Sequence, residues 1–426
     1  MRSAPTTISE RTSICVTGLG AITPLGNSVR ELWDGLLAGR SGIRPLANVD
    51  TADLPCPIGG EVRNPPVEVI AEHAKLDRHR MDRASLFAVL AAREALLHAG
   101  WPLHDLGPRA AVVFGAGLSG MLTLQQQTER LLGKGPRAVS PLTIPLLMPN
   151  AAVANICLAF DARGPSQTVS TACSSSGHAL LDAVRMLRCR DADLVIAGGT
   201  EASLTRLGIS SFVRMGAMAK YDGSPPETLV RPFDARRNGL IMSEGAAALV
   251  LERTDDALAA GRRPLALLLG GCATTDAFHL VTPDPDAVGA VAAVAGAIRD
   301  AGLTAGDIAD RVYVNAHGTA TPLNDLAETR ALKGVFGDAA RRLRISSTKS
   351  MTGHMIGAAG AVETVICVRA LGDGRLPPTI NLHEPDPDCD LDFIPNKPRE
   401  AACEYAINNT FGFGGHNVSL LLARGH

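Results

Sequence analysis

The sequence predicts an α/β fold built from two pseudo-duplicated halves, and three observations carry that prediction. Short apolar, β-branched runs alternate with amphipathic segments along the chain, which is the pattern of βαβ units and mostly parallel, buried sheets. At 426 residues and 46% apolar content, the chain exceeds one ordinary domain and can bury large cores. Ser170–His178 reads STACSSSGH and Ser346–His354 reads SSTKSMTGH, identical at four of nine positions, so one strand–turn–helix unit occurs twice.

Taken in order, residues 1–12 form a polar tail without a basic start, apolar core or cleavage site, and residues 13–262 form the first half. Ser13–Thr17 is a buried strand, and Ser28 caps a helix that stops at Gly39. Residues 40–75, rich in Pro, Gly and Asp, read as an irregular excursion. A helix spans about Asp82–Ala99, with Lys75, Arg78, His79, Arg80 and Arg83 at its mouth. Ala110–Phe114 is a strand, Ala152–Phe160 leads into the strand before Cys173, and Asp193–Gly199 and Ala246–Glu252 are core strands. The turn Gly261–Pro264 is the seam, and residues 263–426 form the second half. There the pattern restarts with strands at 265–269, 312–316 and 343–347, and helices at 286–301, 324–335 and 353–371. Three later strands near 391–394, 404–410 and 418–423 complete a second sheet.

Composition excludes several classes of function. With 41 basic and 43 acidic residues, the net charge of −2 leaves no broad electrostatic footprint for nucleic acid. No run of eighteen apolar residues offers a membrane span, and the chain reads as soluble and cytoplasmic. The nine cysteines are scattered and lack any CxxC pair, so reduced thiols are expected and no metal-ligand spacing is present. Gly115–Gly120 matches GxGxxG, but no acidic residue follows about twenty positions on, so a dinucleotide site is rejected.

The chemistry gathers on strand-end turns. Cys173 sits between a β-branched run and an amphipathic helix, where free N–H groups and the helix dipole favour a thiolate and a lowered pKa. The small residues Ala172 and Ser174–Ser176 leave room for a carbonyl, and the Cys173 N–H supplies half of an oxyanion hole. Taken alone, such a cysteine is more often a buried structural residue. His317 and His354 on equivalent turns of the other half reverse that judgement, and the glycine-rich turn Phe411–Asn417 marks close backbone approach.

The segments TACSSS, NAHGTATP, KSMTGHMIGAAGAVE and FGFGGHN resemble those of the elongating β-ketoacyl-(acyl-carrier-protein) synthases, condensing enzymes of the thiolase superfamily. The likeness runs from about Ser13 to Ala423. It implies a thiolase-like fold in which two βαβαβαββ halves form a five-layered α-β-α-β-α core. It implies a Cys173–His317–His354 set for decarboxylative Claisen condensation, with Lys349 organising a carboxylate network of Asp325, Glu328 and Glu363. By the same resemblance Phe413 is a gate and, with Cys173, an oxyanion donor. Leu118, Thr319, Thr321, Phe411 and Phe413 are the implied acyl-pocket and pantetheine residues. Both histidines are expected to be neutral donors. No metal or other cofactor is implied, the substrates riding on the phosphopantetheine arm of acyl carrier protein.

The carrier, being acidic, is expected at Lys75, Arg78 and Arg80. A homodimer, or a heterodimer with a chain-length-factor-like homologue, is also implied. The intact cysteine, and a histidine rather than asparagine at 354, set the chain apart from length-factor subunits and chain-initiating enzymes. The serine run and His416 tilt the sequence toward polyketide rather than fatty-acid ketosynthases, leaving the pathway open. The alternative is a subunit active only with its partner, or a non-catalytic carrier-binding one.

Overall fold

The computed structural model describes residues 12–73 and 75–425, so the anticipated tail lies outside the described residues apart from Thr12. Ten strands make one continuous sheet: β1 Ile14–Ile22, β2 Ala110–Ala116, β3 Ser166–Val169, β4 Leu194–Glu201, β5 Gly245–Arg253, β6 Ala266–Thr275, β7 Val312–Asn315, β8 Arg344–Ser346, β9 Tyr405–Gly412 and β10 His416–Arg424. Their spatial order is 8-7-9-10-6-1-5-4-2-3. Within the first half, β1–β5 and β5–β4 pair antiparallel, while β4–β2 and β2–β3 pair parallel. The second half repeats this strand for strand: β6–β10 and β10–β9 antiparallel, β9–β7 and β7–β8 parallel. The duplication read from two nonapeptides therefore extends through the whole topology.

Several expectations are corrected here. The sheets are mixed rather than mostly parallel, because each half folds its last strands back antiparallel against its first. They are also joined, since Cys15 and Val16 of β1 pair with Leu267 and Ala266 of β6 across the seam. Residues 391–394 form no strand. Ile394 and Asn396 take left-handed backbone at φ 45° and 58°, which breaks extension between the bond from Ile345 N–H to Asp392 O and that from Thr379 N–H to Ile394 O. The excursion at 40–75 holds one short pair, Ile43–Pro45 with Ile58–Gly60. The helix anticipated from Gly353 begins at Ala359, because Gly353 and Ile356 both have positive φ.

Five helices complete the layers: α1 Arg83–Ala99, α2 Ser175–Arg188, α3 Val288–Asp300, α4 Pro322–Phe336 and α5 Ala359–Asp373. On β4, Val195 and Ala197 face one core while Leu194 and Ile196 face another, and β5 alternates likewise. Both faces are covered, which is why these strands read as unbroken apolar runs. The central core holds α2 and α5 between the two halves of the sheet, joining Leu180, Val184, Val365 and Ile366 to Val16, Leu249 and Leu420. Each such buried side chain contributes about 1.5–3 kcal/mol. Helix α1 covers the outer face of the first half, and α3 and α4 that of the second, giving the α-β-α-β-α order. Among the described residues no helix is long and apolar enough to cross a membrane.

Strand β1 reaches Ile22, beyond the anticipated Thr17, through Gly18 and Gly20, where α1 lies directly on the backbone. A Cβ on Gly20 would fall 1.9 Å from the Ala91 carbonyl oxygen, whereas one on Gly133, on a surface helix, meets nothing within 4 Å. Gly20→Ala is expected to destabilise the protein by about 1–3 kcal/mol or more, and Gly133→Ala to stabilise it by up to about 1 kcal/mol. Urea unfolding checks both, and an unchanged midpoint for Gly20→Ala would contradict this packing.

Candidate active site

Cys173 is brought to the centre by the turn from β3 into α2, two residues before the first helical residue Ser175. Ala172 enters this turn in left-handed backbone at φ 51°, a conformation that costs energy in any residue with a side chain. The three serines hold it there. Ser174 Oγ donates to the carbonyls of Thr410 at 2.9 Å and His416 at 2.7 Å, on β9 and β10. Ser175 Oγ donates to Ala172 O at 2.6 Å, and Ser176 Oγ accepts the Ala361 N–H of α5 at 2.9 Å. All three are fully buried; Ser174 and Ser176 stitch the halves together while Ser175 braces the turn itself, so they do not act as clearance for substrate.

The second half supplies the imidazoles. His354 lies on the turn after β8, its backbone fixed by its own N–H to Ile241 O at 2.8 Å and by Ser243 N–H to its carbonyl at 3.0 Å. Its Nε2 is 3.0 Å from Cys173 Sγ. His317 follows β7, and its ring stands 5.4 Å from that of His354 at 83°. One donor atom from each of the three residues lies within 4.8 Å of the others. Among the described residues, no other group of His, Cys, Asp or Glu side chains is gathered closely enough to hold a metal ion.

Burial decides the protonation states. It pushes the Cys173 thiol up to about 12, against the opposing pull of the Lys349 charge and the Phe413 N–H. The lowered pKa anticipated from the helix terminus is thus corrected: the dipole acts on a sulfur stripped of water, where desolvation outweighs it. Burial, reinforced by Lys349, holds His317 and His354 well below the usual histidine range, so both rings are neutral. The resting site is a thiol against neutral imidazoles.

The carboxylates do not form one network around Lys349. Lys349 pairs with Glu363 alone among them, both side chains being buried. Glu328 anchors the His317 turn, accepting the N–H groups of His317 at 2.9 Å and Gly318 at 2.8 Å. Asp325 accepts the Phe233 N–H at 2.9 Å and lies 3.8 Å from Arg237. Each carboxylate secures a different turn.

A cavity of about 370 Å³ opens onto Cys173 and both histidines, and Thr319, Thr321, Phe411 and Phe413 line it. The two threonine hydroxyls are 2.9 Å apart. Leu118 lies outside this lining and packs with Phe413 against the apolar cluster of Cys173, Phe212, Leu240 and Ile356. Lys75, Arg78 and Arg80 are surface residues away from the cavity lining, and part of their charge is spent locally. Lys75 pairs with Asp161 at 3.0 Å and Arg80 with Asp77 at 3.4 Å, while Arg83 turns inward to Glu244. Sequence reasoning missed Glu201, a buried carboxyl at the end of β4 beside the Leu118 turn. The one signal was an acid closing the apolar run DLVIAGGTE.

Comparison with known proteins agrees with this geometry. Residues 11–257 match the model of the beta-ketoacyl synthase N-terminal domain, and residues 265–383 that of the C-terminal domain. A 3-oxoacyl-(acyl-carrier-protein) synthase 2 from Synechocystis is 40% identical over 412 residues, covering 96% of this chain and 98% of that one. A ketosynthase of a type II polyketide system, solved with its acyl-carrier protein, superposes with a TM-score of 0.88 at 27% identity, over 97% of this chain and all of that one. The ishigamide ketosynthase/chain length factor gives 0.88 at 34% identity, over 97% of this chain and 99% of that one. On its sequence, its duplicated fold and the cysteine and two histidines at its seam, the chain belongs to the beta-ketoacyl synthase family.

Proposed function

We propose that the protein elongates acyl chains by decarboxylative condensation through an acyl-Cys173 intermediate. The observation that carries this reading is His354 Nε2 at 3.0 Å from the sulfur, beside a second neutral imidazole, at the end of an open cavity. In the first half-reaction Cys173 Sγ attacks a thioester carbonyl, and the N–H groups of Cys173 and Phe413 receive the developing oxyanion. The carbon–sulfur bond to the carrier breaks, and the thiol proton, lying on the His354 side, ends on the departing carrier thiol.

In the second half-reaction a malonyl thioester loses carbon dioxide. The released electron pair moves into the thioester carbonyl, and His317 and His354 donate hydrogen bonds to the enolate oxygen. The α-carbon then attacks the acyl-cysteine, a carbon–carbon bond forms, and the thiolate is released to be reprotonated. Decarboxylation itself supplies the carbanion, so the proposed chemistry calls for no resident cofactor. Burial, reinforced by the Lys349 charge, keeps both imidazoles neutral.

Both thioesters arrive on an acyl carrier protein, the partner seen with the polyketide relative. We place its contact at Arg78 and Arg80, with the pantetheine arm passing Thr319 and Thr321. The partly exposed outer edge of β3, the last strand of the sheet, offers pairing to a second copy or a homologous subunit. Fatty-acid elongation is favoured over polyketide assembly by the higher identity to the Synechocystis relative, and because the serine run that tilted the sequence the other way serves the fold.

Three outcomes test this. Cys173→Ala should abolish transfer of a labelled acyl group from its carrier, while His317→Ala and His354→Ala retain loading and lose roughly 10²–10³ in malonyl decarboxylation. Equal loss of both steps in His317→Ala would contradict the division. With both rings neutral and their pKa values below about 6.5, decarboxylation should stay flat from neutral pH down to that value. A fall centred at or above it would show that a histidine takes up a proton there. Arg78→Glu with Arg80→Glu should raise the carrier KM without changing kcat, and an unmoved KM would relocate the contact.

A further inference from the structure

Glu201 ends β4 with its side chain only 1% exposed. Its Oε2 accepts three backbone N–H groups, those of Gly117, Leu118 and Gly357, each at 3.2 Å. The first two open the turn after β2 in one half, and the third follows the left-handed Ile356 in the other. These turns touch backbone to backbone. A Cβ on Gly357 would lie 2.2 Å from the Gly117 nitrogen, and one on Gly199 2.6 Å from the Gly357 oxygen. Leu118 and Ile356, carried on the two turns, pack in the apolar cluster that contains Cys173. That cluster lies beside the sulfur and borders the cavity through Leu240 and Phe413.

The two oxygens of Glu201 are used unequally. Oε1 meets no backbone donor, and the nearby Ser203 hydroxyl is the group placed to bond it. Burial raises the Glu201 pKa to about 7 against the pull of these donors, and the three backbone bonds to Oε2 suit the acid and the carboxylate alike.

We propose that Glu201 is a positioning residue which pins the Gly117–Leu118 turn to the Ile356–Gly357 turn and thereby sets the wall that selects the acyl chain. This rests on the condensation reading only for the identity of the chain. The experiment compares wild type, Glu201→Gln and Glu201→Ala in two assays: the ratio of Cys173 alkylation rates by iodoacetamide and by a long-chain N-alkyl iodoacetamide, and kcat/KM for a short against a long acyl-carrier. Glu201→Gln, whose amide oxygen can accept the same N–H groups, should keep both ratios within about twofold of wild type, whereas Glu201→Ala should change them by about tenfold or more. A folded Ala variant with unchanged ratios would overturn the positioning role, as would a Gln variant that moves them as far as Ala does. Failure of wild type to accept any acyl-carrier would sink the condensation reading instead, while the alkylation ratio still reports the wall.

Discussion

A buried thiol at the end of a cavity, facing a neutral imidazole from the opposite half of the molecule, is the constraint on which the rest of the structure depends. Neither half contains a site by itself: the first brings the sulfur and the second brings both rings. Their meeting is enforced by the short pairing of β1 with β6 and by buried serine hydroxyls that cross from the cysteine turn to β9, β10 and α5. Taking the sulfur out of water keeps it protonated at rest and protects it from adventitious oxidation or alkylation. Reactivity then has to come from the substrate's own carbonyl, once its oxygen reaches the donors prepared for it.

The same burial explains why the acidic groups are distributed rather than pooled. A cluster of ionised carboxylates around one lysine would carry surplus charge in a low-dielectric interior, at a cost of several kcal/mol per uncompensated ion. Instead, Glu363 faces Lys349, Glu328 is satisfied by backbone donors on the His317 turn, and Asp325 lies by Arg237. Burial raises the pKa of Glu328 and Glu363 to about 7, against the pull of the backbone donors on the one and of Lys349 on the other. The turns around the site include left-handed Ala172, Ala320 and Ile356, strained positions that persist because their surroundings over-determine them.

Much of this was legible in the sequence, for local reasons. Cys173, His317 and His354 each follow a short apolar run and precede a helix, and that context travels with the residues themselves. The duplicated nonapeptide gave away the repeated topology. What escaped notice depends on partners distant in the chain. The sign of the cysteine shift follows from burial by both halves, which no flanking residue reveals. The serines beside Cys173 looked like clearance for substrate because their acceptors lie on β9 and β10, some 240 positions onward. The strand expected at 391–394 satisfies every compositional rule and is cancelled by left-handed backbone at Ile394. Glu201 was overlooked because its donors come from two distant turns, one in each half.

The account stands on covalent capture of the acyl group by one sulfur. Peptide mass spectrometry of the intact protein, after incubation with an acyl-carrier and rapid acid quenching, measures that directly. The account predicts an acyl mass increment on the peptide containing Cys173, removed when malonyl-carrier is added before the quench. Condensed product formed with no adduct at Cys173, or with the adduct on another residue, would contradict it.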